Sequence, residues 1–101
     1  MPAVTLVDRV FAATMENVSA LVAELSARCE ERGLAPGLSM RVTLVAEELT
    51  SNLVRHGYAG VGSFAVSIEQ HGPDVRLLLL DTARAFDPGA GDTPAHIDLP
   101  V

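Results

Sequence analysis

Hydrophobic and polar positions along the chain switch period three times, and each switch marks an element. Residues 4–12 (VTLVDRVFA) are rich in Val, Thr and Phe but lack helical spacing, which predicts a strand at a sheet edge. Met15, Val18, Leu21, Val22, Leu25 and Cys29 then recur mostly every three or four residues, so an amphipathic helix is expected to about Arg32. Thr14 can cap its start and Gly33 can stop it. After the Ala35-Pro36-Gly37 turn, Ser39 is the expected N-cap of a second helix running to His56. Val42, Val45, Leu49 and Leu53 form its expected apolar stripe, and Gly57 ends it.

The period then falls to two. Ala59-Gly60-Val61-Gly62 reads as a loop, and Phe64, Val66 and Ile68 alternate with Ala65, Ser67 and Glu69 as in a strand. His71-Gly72-Pro73-Asp74 predicts a hairpin turn. Val75 to Asp81 (VRLLLLD) is a further strand, apolar on both faces near its end, and is therefore expected to be central and covered. Beyond Thr82 no period survives, so residues 83–101 are expected to form a loop, lid or linker. The fold class is α+β, with helices on one face of an antiparallel or mixed sheet. It lacks the strict alternation of a dinucleotide-binding fold.

Length and composition narrow the classes. The 101 residues suit a single domain spanning 1–101 with one modest core. A hydrophobic share of 49% is too high for a disordered chain. The net charge of −6 argues against a general nucleic-acid binder, which needs a basic face. It leaves a nucleotide open, because a local site with a divalent cation can overcome the global sign. Cys29 is the only cysteine, which excludes an internal disulfide and fits a reduced cytoplasmic home. The longest strongly apolar run, Leu77 to Leu80, is far short of the ~20 residues of a membrane helix.

The densest chemistry lies in Ala46-Glu47-Glu48-Leu49-Thr50-Ser51-Asn52-Leu53-Val54-Arg55-His56-Gly57-Tyr58. Glu48 and Asn52 are four residues apart, so on a helix they stand one above the other. The carboxylate can accept a proton and the amide oxygen can ligand a hard cation such as Mg²⁺. Glu47 is about 100° away around the helix, so only one of the two glutamates can share a cleft with Asn52. A Glu-Glu pair alone is more often a solvated face, and an Asn near a helix end more often a cap. Asp81 ends an apolar strand, where a carboxylate is costly unless satisfied.

These motifs together carry a resemblance. Glu48-Leu49-Thr50-Ser51-Asn52 followed by His56-Gly57-Tyr58 looks like the N-box of the GHKL ATPases, the superfamily of gyrase, histidine kinases and mismatch-repair ATPases. It most resembles that of the anti-sigma-factor serine kinases. Asp81-Thr82-Ala83-Arg84-Ala85-Phe86-Asp87-Pro88 resembles their first glycine box, with Ala83 where that box has glycine. The resemblance implies a two-layer α/β sandwich, the Bergerat ATP-binding fold, incomplete at the C-terminus because the later glycine-rich phosphate segment is absent. It implies ATP and Mg²⁺ as cofactors. Glu48 would be the general base and Asn52 the metal ligand. Asp81, Ala83 and Phe86 would bind the nucleotide, with Asp81 accepting from the adenine amino group.

The implied activity is a serine protein kinase acting on an anti-anti-sigma (STAS-type) antagonist. A sigma factor would be the other partner and a homodimer the assembly, without direct contact to nucleic acid or membrane. Two other readings stay open. The chain could keep the fold and only sequester a partner, or it could be a non-kinase GHKL piece or part of a sensor histidine kinase.

Overall fold

Two adjacent strands set the frame, because their alternating residues decide which face the helices must cover. In the computed structural model, residues 2–57, 62–81 and 95–99 are described. Strand β2 (Ser63–His71) and strand β3 (Asp74–Asp81) pair antiparallel, from His71↔Asp74 to Phe64↔Asp81. Gly72 holds φ 58 at the first turn position, which an L side chain adopts only with strain, and Pro73 fixes the second at negative φ. Phe64, Val66, Ile68, Val75, Leu77 and Leu79 are all buried on one face.

Strand β1 (Val4–Ala12) pairs antiparallel with β2 and forms one edge, as its composition predicts. Its irregular pattern has a geometric cause. The register shifts between Thr5 and Val7, so the consecutive residues Leu6 and Val7 are both buried. The buried parity passes from even to odd there, to Val7 and Phe11, with the exposed Arg9 between them. The Phe11 and Phe64 rings stack with centroids 5.5 Å apart.

Helix α1 (Met15–Glu31) has its predicted boundaries and caps. Thr14 is extended and its Oγ1 accepts from the Asn17 N–H at 3.1 Å. At the other end the Leu34 N–H reaches the Cys29 carbonyl and the Gly33 N–H reaches that of Glu30, each at 3.0 Å. With Gly33 at φ 69, this is a Schellman cap. Val18, Leu21, Leu25 and Cys29 are buried. Burial pushes the Cys29 thiol up from its ordinary value, and a hydrogen bond with Ser39 opposes this in part.

Helix α2 (Pro36–Gly57) begins earlier than expected. The Ser39 N–H already donates to the Ala35 carbonyl at 2.9 Å, so Ser39 lies inside the first turn and is not the cap. Proline suits that first position, where its missing N–H has no partner to lose. The expected stripe is also rotated. Leu38, Val42, Ala46, Thr50 and Val54 are the buried row, while Val45, Leu49 and Leu53 are only partly buried against the core. Ala46, having the smallest side chain of the row, lets this side of the helix come closest.

Two further expectations change. Residues Ala95–Leu99 were expected to lie in a lid or linker, but they form strand β4, antiparallel to β3. The sheet is thus four-stranded in the order β1-β2-β3-β4. Ala95, Ile97 and Leu99 take register positions opposite Leu79, Leu77 and Val75, so this short segment has strand period after all. The rest of the expected lid, at 82–94 and 100–101, lies outside the described residues. Strand β3 is central as expected, but among the described residues it is covered on one face only. Leu78 is 40% exposed and Leu80 half-buried on the face opposite the core. An apolar run shows that a face is sticky and not whether something covers it. Among the described residues no helix is long and apolar enough to cross a membrane.

Phe64 has no exposed surface and joins the core of both layers. Replacing it with alanine should lower stability by about 3–5 kcal/mol through lost transfer energy and a residual cavity. Urea denaturation checks this, with the midpoint falling at unchanged slope.

Candidate functional site

The site-bearing part of α2 is placed by its buried side. With Ala46, Thr50 and Val54 turned to the core, Glu48 and Asn52 must project from the opposite flank, about 40° apart around the axis. Both are exposed, and so is Glu47 on the other side of the outward face. The half-buried Leu49 and Leu53 lie between Asn52 and the core. Asn52 therefore borders an apolar flank rather than an all-polar surface.

The topology carries the end of α2 toward Asp81. Residues 58–62 link Gly57 directly to β2, and Phe64 at the start of β2 is the register partner of Asp81 at the end of β3. The Ala13 N–H donates to the Gly62 carbonyl at 2.9 Å and pins this link to the end of β1. Helix α2 also packs against β3 itself. Asp81 holds the same parity as the buried Val75, Leu77 and Leu79. The end of α2, the start of β2 and the end of β3 thus meet at one end of the sheet. Glu48 and Asn52 are exposed on the side of α2 away from its core-facing row, and Ala83 and Phe86 lie outside the described residues.

Local electrostatics favour a cation between protein and anion. The chain carries a net charge of −6, and Glu47 and Glu48 stand in the half of α2 nearer its electronegative C-terminus. Arg55 and His56 occupy the last turn, where positive charge complements the helix dipole. His56 is exposed and suits this supporting role. Among the described residues no group of three or more His, Cys, Asp or Glu could hold a metal ion. A Mg²⁺ ion carried by a nucleotide does not need one. It keeps water and phosphate oxygens and takes only one or two protein oxygens. The exposed amide oxygen of Asn52, with the Glu48 carboxylate one turn away, fits that demand.

Two residues beside the pair went unremarked in the sequence. Thr50 is fully buried and Ser51 nearly so, and both hydroxyls donate to carbonyls of their own helix. Their signal was present as two weak helix formers inside a helical pattern, one of them on the buried row.

The sequence profile described as the histidine kinase-like ATPase domain matches residues 11–98. No curated protein sequence matches the chain.

Glu48 and Asn52 are exposed and lie outside the buried row of α2, so the fold should not need them. Glu48→Gln and Asn52→Ala should each change stability by less than about 0.5 kcal/mol. Thermal melts of the two variants read this directly, and a large drop would assign the pair a packing role.

Proposed function

Since the chain belongs to the histidine kinase-like ATPase domain family, a family of ATP-binding domains, we propose that it is an ATP-dependent protein serine kinase of the anti-sigma-factor type. The observation that carries this reading is the exposed Glu48 and Asn52 pair on one flank of α2, whose end leads through a short link to the sheet end bearing Asp81. Phosphoryl transfer relies on positioning and charge neutralisation more than on covalent help from the protein. Asn52 would hold the nucleotide's Mg²⁺ through its amide oxygen. Glu48 would accept the proton of the attacking serine hydroxyl or orient that group. Asp81 would accept from the adenine amino group, with Ala83 and Phe86 against the base. When bound, Mg²⁺ neutralises phosphate charge that the acidic chain alone would repel.

The partners of this reading are an anti-anti-sigma domain of the STAS type, which presents the serine, and a sigma factor. The protein would act as a cytoplasmic homodimer. The motif resemblance of residues 48–58 and 81–88 supports this subtype. A second reading, sequestration of a partner without turnover, draws on Ala83. Glycine at that position would let a ligand approach the backbone more closely than alanine does.

Nucleotide binding should separate into two contributions. Asn52→Ala should weaken binding in Mg²⁺ and spare binding in EDTA. Asp81→Asn should cost about 1–3 kcal/mol in both conditions, because the amide presents a donor toward the adenine amino group. Calorimetry with and without Mg²⁺ measures both, and equal losses for Asn52→Ala in the two conditions would remove it as metal ligand.

Transfer should depend on Glu48 and hardly on Glu47. Glu48→Gln keeps volume but removes the proton acceptor, so labelled phosphate should cease to reach the antagonist while ATP still binds. Glu47→Gln should remain active. The reverse result would shift the assigned base by one residue. ATP binding without transfer in the wild-type protein would favour sequestration.

A further inference from the structure

Two hydroxyl residues stand where the packing of α2 calls for apolar ones. Thr50 has no exposed surface and Ser51 is 9% exposed, and they are the buried polar residues among those described. Both are weaker helix formers than alanine, and a buried hydroxyl is costly without a hydrogen bond. Each is satisfied in the same way. Thr50 Oγ1 donates to the Ala46 carbonyl at 2.7 Å, with the Glu47 carbonyl at 3.5 Å. Ser51 Oγ donates to the Glu48 carbonyl at 3.3 Å.

Those carbonyls have other work. In an α-helix the carbonyls of residues 46, 47 and 48 accept from the N–H groups of 50, 51 and 52. Three consecutive rungs therefore carry a second donor. The last rung is the direct hydrogen bond between the two candidate residues, since the Glu48 carbonyl is the acceptor for the Asn52 N–H. Back-bonding of this kind loosens and bends a helix locally. Here it acts on the single turn that carries Glu48 and Asn52.

We propose that Thr50 and Ser51 are positioning residues, which fix the geometry of that turn so that the Asn52 amide and the Glu48 carboxylate converge on the cation and phosphate end of a bound nucleotide. The inference rests on the nucleotide-binding reading above. A purely stabilising role is the competing explanation, and the residue choice speaks against it. Valine would fill the place of Thr50 without a hydroxyl to bury, and alanine would favour the helix at 51. Thr43 offers an internal comparison. Its Oγ1 also donates back, to the Ser39 carbonyl at 3.0 Å and that of Met40 at 2.9 Å, but it sits N-terminal to the pair's turn.

The test uses Thr50→Val, Ser51→Ala and their combination, with Thr43→Val as the matched control and Thr50→Ser as the conservative rescue. Three quantities are measured on the native protein. They are the thermal midpoint, amide hydrogen exchange at Asn52 without nucleotide, and calorimetric affinity for a non-hydrolysable ATP analogue in Mg²⁺ and in EDTA. The expected result is an unchanged or higher midpoint, altered exchange at Asn52, and about a tenfold loss of affinity in Mg²⁺ alone for the combined variant, the scale seen when support for a metal ligand is removed. Thr50→Ser should restore the affinity, and Thr43→Val should leave both exchange at Asn52 and affinity unchanged. A combined variant that binds as tightly as wild type in Mg²⁺ overturns the proposal alone. So does a loss matched by Thr43→Val, or one that appears equally in EDTA. A wild-type protein whose affinity is the same in Mg²⁺ and EDTA, or that binds no analogue, overturns the nucleotide-site reading and this one with it.

Discussion

The structure depends on the sheet being roofed, among the described residues, by α1 and α2 on one face. Phe11, Phe64, Val66, Ile68, Val75, Leu77 and Leu79 need cover, and α1 and α2 must supply it with whatever apolar surface they have. For α2 that surface is the row Leu38, Val42, Ala46, Thr50 and Val54. Once this row faces the sheet, the helix cannot turn, and every other position on it is assigned. Glu48 and Asn52 are outward because the row is inward. The site's orientation is thus a by-product of core burial, which is the strongest term available to a domain of this size. The polar ties are secondary. Arg9 pairs with Glu24 and lies over the Phe11 ring with 4.8 Å to its centroid, joining β1 to α1 across an exposed edge. An ion pair so exposed adds little to stability.

Much of this was legible in the sequence, and for physical reasons. The helices and the β2–β3 hairpin announce themselves because one face of each is buried and the period follows. Thr14, Gly33 and Gly72 punctuate the chain because backbone groups there need a cap or a positive φ. The failures are equally physical. A bulge between Thr5 and Val7 exposes no signature beyond a broken alternation. Ser39 has the chemistry of a cap, but Pro36 and Ala35 took the helix start first. The stripe of α2 was drawn through the bulky residues Val45, Leu49 and Leu53, whereas the closest approach belongs to small Ala46 and to Thr50, which hides its own hydroxyl. Strand β4 is five residues long and follows a segment of Gly, Pro and Asp, too short for its alternation to stand out.

The candidate site was legible in a different way. Glu48, Asn52 and Asp81 were picked out as chemistry at motif spacing, not as period. The fold then brings their elements to one end of the sheet through the 58–62 link and the Phe64↔Asp81 pairing. Thr50 and Ser51 were missed because hydroxyls carry no spacing signal of their own. Only burial reveals them. They were visible as a conflict between levels, since weak helix formers occupy the buried side of a helix. Such conflicts cluster where a structure serves something besides its own stability.

Charge gives the last step. On the proposed reading, an ATP triphosphate approaching this flank of α2 would meet Glu48 and the negative half of a helix dipole. The backbone donors that usually hold phosphate belong to helix N-termini, and Glu48 and Asn52 stand toward the other end. Arg55 and His56 in the last turn are spent on the dipole itself. In the proposed reading a divalent cation would accompany the phosphate to this flank. The group that meets that cation must be a neutral oxygen ligand if the carboxylate is to stay free as a base. Asn52, the metal ligand of the proposed reading, offers a neutral amide oxygen one turn from Glu48. An aspartate there would bind the cation more strongly, but it would add a second negative charge beside Glu48 and compete with it for the cation. On the proposed reading, an amide at position 52 would leave Glu48 as the one carboxylate beside the cation.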